Sequence, residues 1–173
     1  MDTRQLAQNL YDTYSSIINE LGYDNWAELC EGEGLTTLEK QIKWFTEDID
    51  PSMEGHISND ESYLIAGELS CLFGQDDRFE GLAGEITDAI AIAYIDTDAW
   101  DKDAKIASLK EGYNAQEDKD KISLSEYVSL RRESDPGFGR WLFEGNRALV
   151  DGDGHLTTKG KEKYTDFLSG LTV

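Results

Sequence analysis

Between Asp2 and Trp100 the chain places 22 carboxylates and only four bases, Arg4, Lys40, Lys43 and Arg78, a net charge of −18. Burying an unpaired carboxylate is strongly unfavourable, so whatever this stretch forms must hold these groups in water. It must do so while gathering enough apolar side chains for a core. The apolar residues recur at helical spacing, with the acids off the stripe or in the joints between stripes, which predicts short amphipathic helices.

Leu6, Leu10, Ile17, Ile18 and Leu21 predict a first helix that begins at Asp2 or Thr3 and stops at Gly22. Asp24 is expected to cap a short helix with Trp26, Leu29 and Cys30, closed by Gly32 and Gly34. Thr36 and Glu39 have the spacing of a capping box ahead of Leu38, Ile42 and Phe45, and that helix must stop before Pro51. Ser58 and Glu61 repeat the spacing before a helix through Leu64, Ile65, Leu69, Leu72 and Phe73 to Gly74. After the polar joint Asp76-Asp77-Arg78, a helix from Phe79 through Leu82, Ile86 and Ile90 is expected to be the central buried one. Its last part, Ala89 to Ile95, is almost wholly apolar.

Beyond residue 100 the charge changes character: 14 acids meet 12 bases, a net of −2. A helix through Ile106 and Leu109 to Gly112 precedes a polar loop over 113–121. Ser123 with Glu126 forms a third capping box, and Asp135-Pro136-Gly137 ends the helix it starts. Arg140 to Val150 is expected as a helix running into a short strand. Asp151-Gly152-Asp153-Gly154 is a strong turn signal, His155-Leu156 returns as a strand, and Thr157 or Thr158 caps a last helix. The expected fold is mainly α, a compact helical bundle with a small C-terminal β-hairpin. Residues 1–112 form an acidic helical body and 113–173 a near-neutral subdomain, together one globular unit.

Several function classes are disfavoured. Acidity of this size opposes direct binding to nucleic acid or to an anionic membrane. No apolar run approaches the roughly 20 residues that cross a bilayer, and Met1-Asp2-Thr3-Arg4-Gln5 lacks the basic start and apolar stretch of a signal peptide. Cys30 and Cys71, each beside leucine in a helical pattern, are expected as buried reduced thiols, and the protein as cytoplasmic. A chain that is 39% hydrophobic and 10% aromatic has the means to fold.

Catalysis finds no foothold. His56 and His155 have no identifiable partner, no GxGxxG or GxxxxGK[ST] run occurs, and no catalytic residue or cofactor is expected. Asp96, Asp98, Asp101 and Asp103 miss the calcium-loop register, because Trp100 and Asp101 fall where the third acid and the glycine belong. Asp151 and Asp153 miss it too, with Leu156 at the glycine position, so no metal site is expected.

The acidity itself is the candidate. B-DNA carries about one charge per 1.7 Å of axis, so 18 charges match roughly 30 Å of duplex, the length of a 20-residue helix. Proteins that hold DNA chiefly through phosphates would meet a competitor in such a surface. The expected partner is therefore a basic nucleic-acid-binding protein or complex. The contacts are placed on Glu47, Asp48, Asp50, Glu54, Asp60, Glu61, Asp76, Asp77 and Glu80, with the densest base-free run at 47–61. In composition and helical character the chain resembles the acidic anti-restriction and anti-CRISPR proteins of phages and plasmids. That resemblance implies a DNA-mimic inhibitor. Adaptation to high salt is the rival account of acidity, but it would coat the whole surface and leave no balanced C-terminal part.

A second resemblance covers about 50 residues. Arg147-Ala148-Leu149-Val150, the acidic turn and Leu156-Thr157-Thr158-Lys159-Gly160 resemble the wing and final helix of winged-helix regulators, with Ser123 to Glu133 in the place of the recognition helix. It implies a regulatory or immunity protein acting through its C-terminal piece, by way of Arg131, Arg132 and Arg140.

Overall fold

A computed structural model describes residues 2–48, 56–116, 122–135 and 137–171. The chain forms two compact units, Met1–Asp96 and Thr97–Val173. The described residues are mainly helical.

The first unit opens with α1, Thr3–Glu20, whose free N–H groups at Arg4 and Gln5 donate to the Asp2 carboxylate. Gly22 ends it with a φ of 84°. Helix α2 (Trp26–Glu33) is capped by Asn25 and not by Asp24, and α3 (Leu38–Lys43) by Thr37 and not by Thr36. The predicted Thr36–Glu39 box is therefore not the one used. From Lys43 the chain widens into a single π turn, Trp44–Asp48, which turns Trp44 and Phe45 inward. Helix α4 (Asn59–Gly74) carries the full Ser58–Glu61 capping box, as the spacing predicts.

The central helix is shorter than expected. Phe79 closes a 3-10 turn (Asp77–Phe79), Gly81 adopts a φ of 85°, and α5 runs only from Gly84 to Ala93. Its end is tied back to the start of α4, where Ile57 N donates to Tyr94 O at 3.1 Å and Asp96 N to Ile57 O at 2.9 Å. Helix α4 lies against both α1 and α5. Between these elements Phe45 is fully buried, edge-on to Tyr14 and to Trp44 at 4.8 Å each, while Phe73 meets Phe79 at 4.6 Å. An aromatic cluster of this density supports a core in a unit that carries 21 acids.

The second unit contains α6 (Lys102–Asn114, capped by Asp101), α7 (Leu124–Ser134, capped by Ser123), the single-turn α8 (Phe138–Leu142) and α9 (Thr158–Leu171). Leu109, Val128, Phe138, Leu142, Phe143, Leu149 and Phe167 form its core. The boundary read from charge, at 112, falls inside α6, whose buried Leu109 packs in the second unit; the compact units divide at Asp96.

The predicted β-hairpin is not formed. Among the described residues there is no strand, and Val150 and Leu156 share one isolated antiparallel bridge. The expected helix over Arg140–Val150 also fails, ending at Leu142. The cause lies on both sides of the Asp-Gly turn. Asn146 accepts from Leu149 N and Val150 N and through its side chain from Ala148 N, which coils 146–149. Thr157 then caps α9 through Gly160 N at 3.0 Å, leaving no length for a returning strand. The wing of the winged-helix resemblance is lost with it.

Candidate functional site

The first unit holds 21 acids against four bases, a net charge of −17. None of its described carboxylates is buried. The acidity is thus a property of a folded surface, held outward by the apolar stripes of capped helices.

The predicted contact residues take different places on it. Glu47 and Asp48 are exposed on the π turn beside α5, and Asp60 is exposed in the first turn of α4. Asp50 and Glu54 lie outside the described residues. Glu61 is engaged in capping: its carboxylate accepts from Ser58 N at 3.0 Å, a bond that holds its pKa below the ordinary value. Asp76, Asp77 and Glu80 are brought together along a cleft of about 410 Å³ floored by Phe73, Phe79 and the glycines 74, 81 and 84. Asp77 and Glu80 are exposed there.

Asp76 has a different task. Its carboxylate is gripped in a fork by Arg78, Nη2 to Oδ2 at 2.7 Å and Nε to Oδ1 at 3.1 Å, and it accepts from Tyr11 Oη at 2.5 Å. Arg78 also donates to Ser15 and Asn19, so the pair staples α1 to the joint between α4 and α5. The guanidinium, with the tyrosine hydroxyl, lowers the Asp76 pKa from 3.8 to about 2. Such a bidentate pair keeps its charge but presents little of it to a partner. Sequence reading put Asp76 on the contact surface and missed Tyr11 and Ser15. The available signal was the base at Arg78, two residues from Asp76 and one of only four in the unit.

A pH prediction follows from the sign of that shift. A depressed carboxylate contributes stability in full above its ordinary pKa of 3.8, and the contribution disappears as pH falls through about 2. Asp76→Asn is expected to lower the stability of the first unit by about 1–2 kcal/mol at pH 7 and by much less at about pH 2. Urea unfolding at the two pH values measures it, and an equal loss at both would contradict the ion-pair account.

The second unit's surface is mixed. A cleft of about 510 Å³ is lined by Arg132, Glu133, Asp135, Asp153, His155 and Lys161. The bases singled out by the winged-helix resemblance have internal partners. Arg131 lies over Trp141 and Phe138 at 4.9 and 5.5 Å, Arg132 over Tyr164 at 5.0 Å, and Arg140 donates to Gly152 O. Asp151, Asp153 and His155 are exposed and bring one ligand atom each within 4.8 Å of the others. Asp151 Oδ1 there already accepts from Asp153 N and His155 N at 2.9 Å each, which closes the turn. Among the described residues the carboxylates whose pKa moves, Glu61, Asp76 and Asp151, all move downward, each held ionised by hydrogen bonds.

Two cysteines complete the inventory. Both are free thiols; Cys30 is half-buried and Cys71 is exposed, not buried as its leucine neighbours suggested. No helix among the described residues is long and apolar enough to cross a membrane. No protein-family model, curated protein or solved structure matches this chain.

Proposed function

We propose that the chain is a non-enzymatic interaction protein whose Met1–Asp96 unit occupies a basic, nucleic-acid-binding surface of a partner protein. The concrete form is a DNA-mimic inhibitor, of the anti-restriction or anti-CRISPR kind, directed at a defence nuclease. The observation that carries the reading is the segregation of charge onto one folded unit: 21 acids against four bases in the first, 15 against 12 in the second. Adaptation to high salt gives no reason for that contrast. With no described carboxylate of the first unit buried, the charge stands where a basic partner would meet it. The chemistry supplied is electrostatic: fast, steered encounter with a cationic surface and exclusion of the phosphates that surface normally holds.

The test is mutual exclusion. Purified basic DNA-binding proteins, restriction and CRISPR nucleases among them, are assayed for binding to the chain with and without a short DNA duplex. The reading expects a partner whose bound chain is displaced by the duplex in proportion to the duplex's own affinity. Formation of a ternary complex with DNA, at undiminished affinity, contradicts it.

A further inference from the structure

Helix α4 is apolar on two sides. Ser62, Ile65, Leu69 and Phe73 are buried, whereas Tyr63 and Leu64 are 56% and 59% exposed. Gly67 and Cys71 follow at helical spacing on the same outer face and are also exposed. Asp60 stands one turn before this apolar pair, and Glu68 one turn after it. Glu68 is approached by Arg4 at 3.7 Å, an exposed pair that a competing cation can replace.

Gly67 has no internal justification. A Cβ built there meets nothing within 4 Å, and glycine in mid-helix is less stable than alanine. What the glycine does leave is a notch beside Tyr63 and Leu64, where another chain can approach the helix backbone closely. Exposed aromatic and aliphatic anchors next to a notch, with a charged rim, are the anatomy of an interface centre. Charge settles the occupant. A second copy would bring one surface of net −17 against another, so the complement must be cationic.

We propose that the Tyr63–Leu64–Gly67–Cys71 face of α4 docks a basic amphipathic helix of the partner protein. The apolar side of that helix sits over Gly67 between Tyr63, Leu64 and Cys71, and its Lys or Arg residues reach Asp60 and Glu68. This rests on the function proposed above and adds selectivity to it. A surface of charge alone accepts any polycation, whereas an apolar anchor accepts only a helix that carries a matching stripe.

Two synthetic helical peptides of equal charge test it, one with Lys and Leu in amphipathic register and one with Lys and Gln. They are titrated against the full chain, Gly67→Gln and the double variant Tyr63→Ser/Leu64→Ser. The wild type is expected to bind the Lys–Leu peptide about 10-fold more tightly than the Lys–Gln peptide, an anchor-sized difference. Binding should also protect Cys71 from iodoacetamide, mapped by mass spectrometry. Both variants should reduce the preference to about twofold or less. Gly67→Gln should keep or raise the melting temperature, because the site is open and glutamine is the better helix former. Equal binding of the two peptides by the wild type overturns the docking face and leaves the acidic-surface reading standing. A preference that survives in both variants, with Cys71 unprotected, also overturns the docking face. Binding of neither peptide at low salt overturns both.

Discussion

Gly160→Ala is expected to destabilise the C-terminal unit by about 3 kcal/mol, the upper range for overpacking by a single methyl group. A Cβ at this buried position of the first turn of α9 would stand 1.9 Å from the carbonyl oxygen of Leu149 and 2.9 Å from its carbon. Those are backbone atoms, and they are not free to retreat. The Leu149 carbonyl accepts from Thr157 N at 3.0 Å, and Leu149 N donates to Asn146 O at 3.0 Å. Moving either segment opens the bond that seats α9 or the turn that coils 146–149. Gly152→Ala is the internal control, since nothing lies within 4 Å of its Cβ, and it should stay within about 0.5 kcal/mol of wild type. Denaturant-dependent hydrogen exchange over residues 97–171 reports the unit separately from the acidic one. A loss below about 1 kcal/mol for Gly160→Ala would mean that α9 and Leu149 do not approach as described.

The second large effect concerns binding. Reversing Glu47, Asp48, Asp77 and Glu80 to lysine changes the first unit from −17 to −9, two charges per site. All four side chains are exposed, and none supplies a described helix cap. The fold should therefore survive, with a melting temperature at or above that of wild type as like-charge repulsion is relieved. Each exposed charge pair contributes up to about 1 kcal/mol, so the fourfold reversal should weaken a basic partner by about 100-fold. Arg132→Glu with Arg140→Glu, in the second unit, should change affinity by no more than about twofold. Surface plasmon resonance on the two variants decides between the units. Retained binding in the first and lost binding in the second would transfer the function to the C-terminal unit.

How much of this was legible in the residues depends on how local the cause is. The caps at Asp2, Ser58 and Ser123 are local, a side-chain oxygen meeting an N–H two or three residues on, and they stand where the spacing puts them. Where two capping residues are adjacent the choice is not local: at Thr36-Thr37 and Asp24-Asn25 the second is used, at Asp2-Thr3 and Thr157-Thr158 the first. Leu64 and Ile65 are equally apolar and about 100° apart around a helix. Only the packing of α4 against α1 and α5 turns Ile65 in and Leu64 out. The Asp-Gly turn after Val150 was a true signal, but a turn does not make strands; Asn146 and Thr157 take the flanking residues for other structure. Asp76 was counted as a partner contact because its real partners are remote: Tyr11 lies 65 residues from it, and Ser15 lies 63 residues from the Arg78 that bridges them. The exposure of the remaining acids was legible for the opposite reason: solvation of charge needs no partner.

The most direct test of the acidic unit as a mimic of phosphate is the ionic-strength dependence of association with a basic nucleic-acid-binding protein. Exposed charges are screened over about 10 Å at 0.1 M salt, so steering by a −17 surface must weaken as salt rises. Stopped-flow kinetics between about 0.05 and 0.5 M NaCl should show the association rate falling at least about 10-fold while the dissociation rate changes far less. An association rate that is flat across that range would contradict the account.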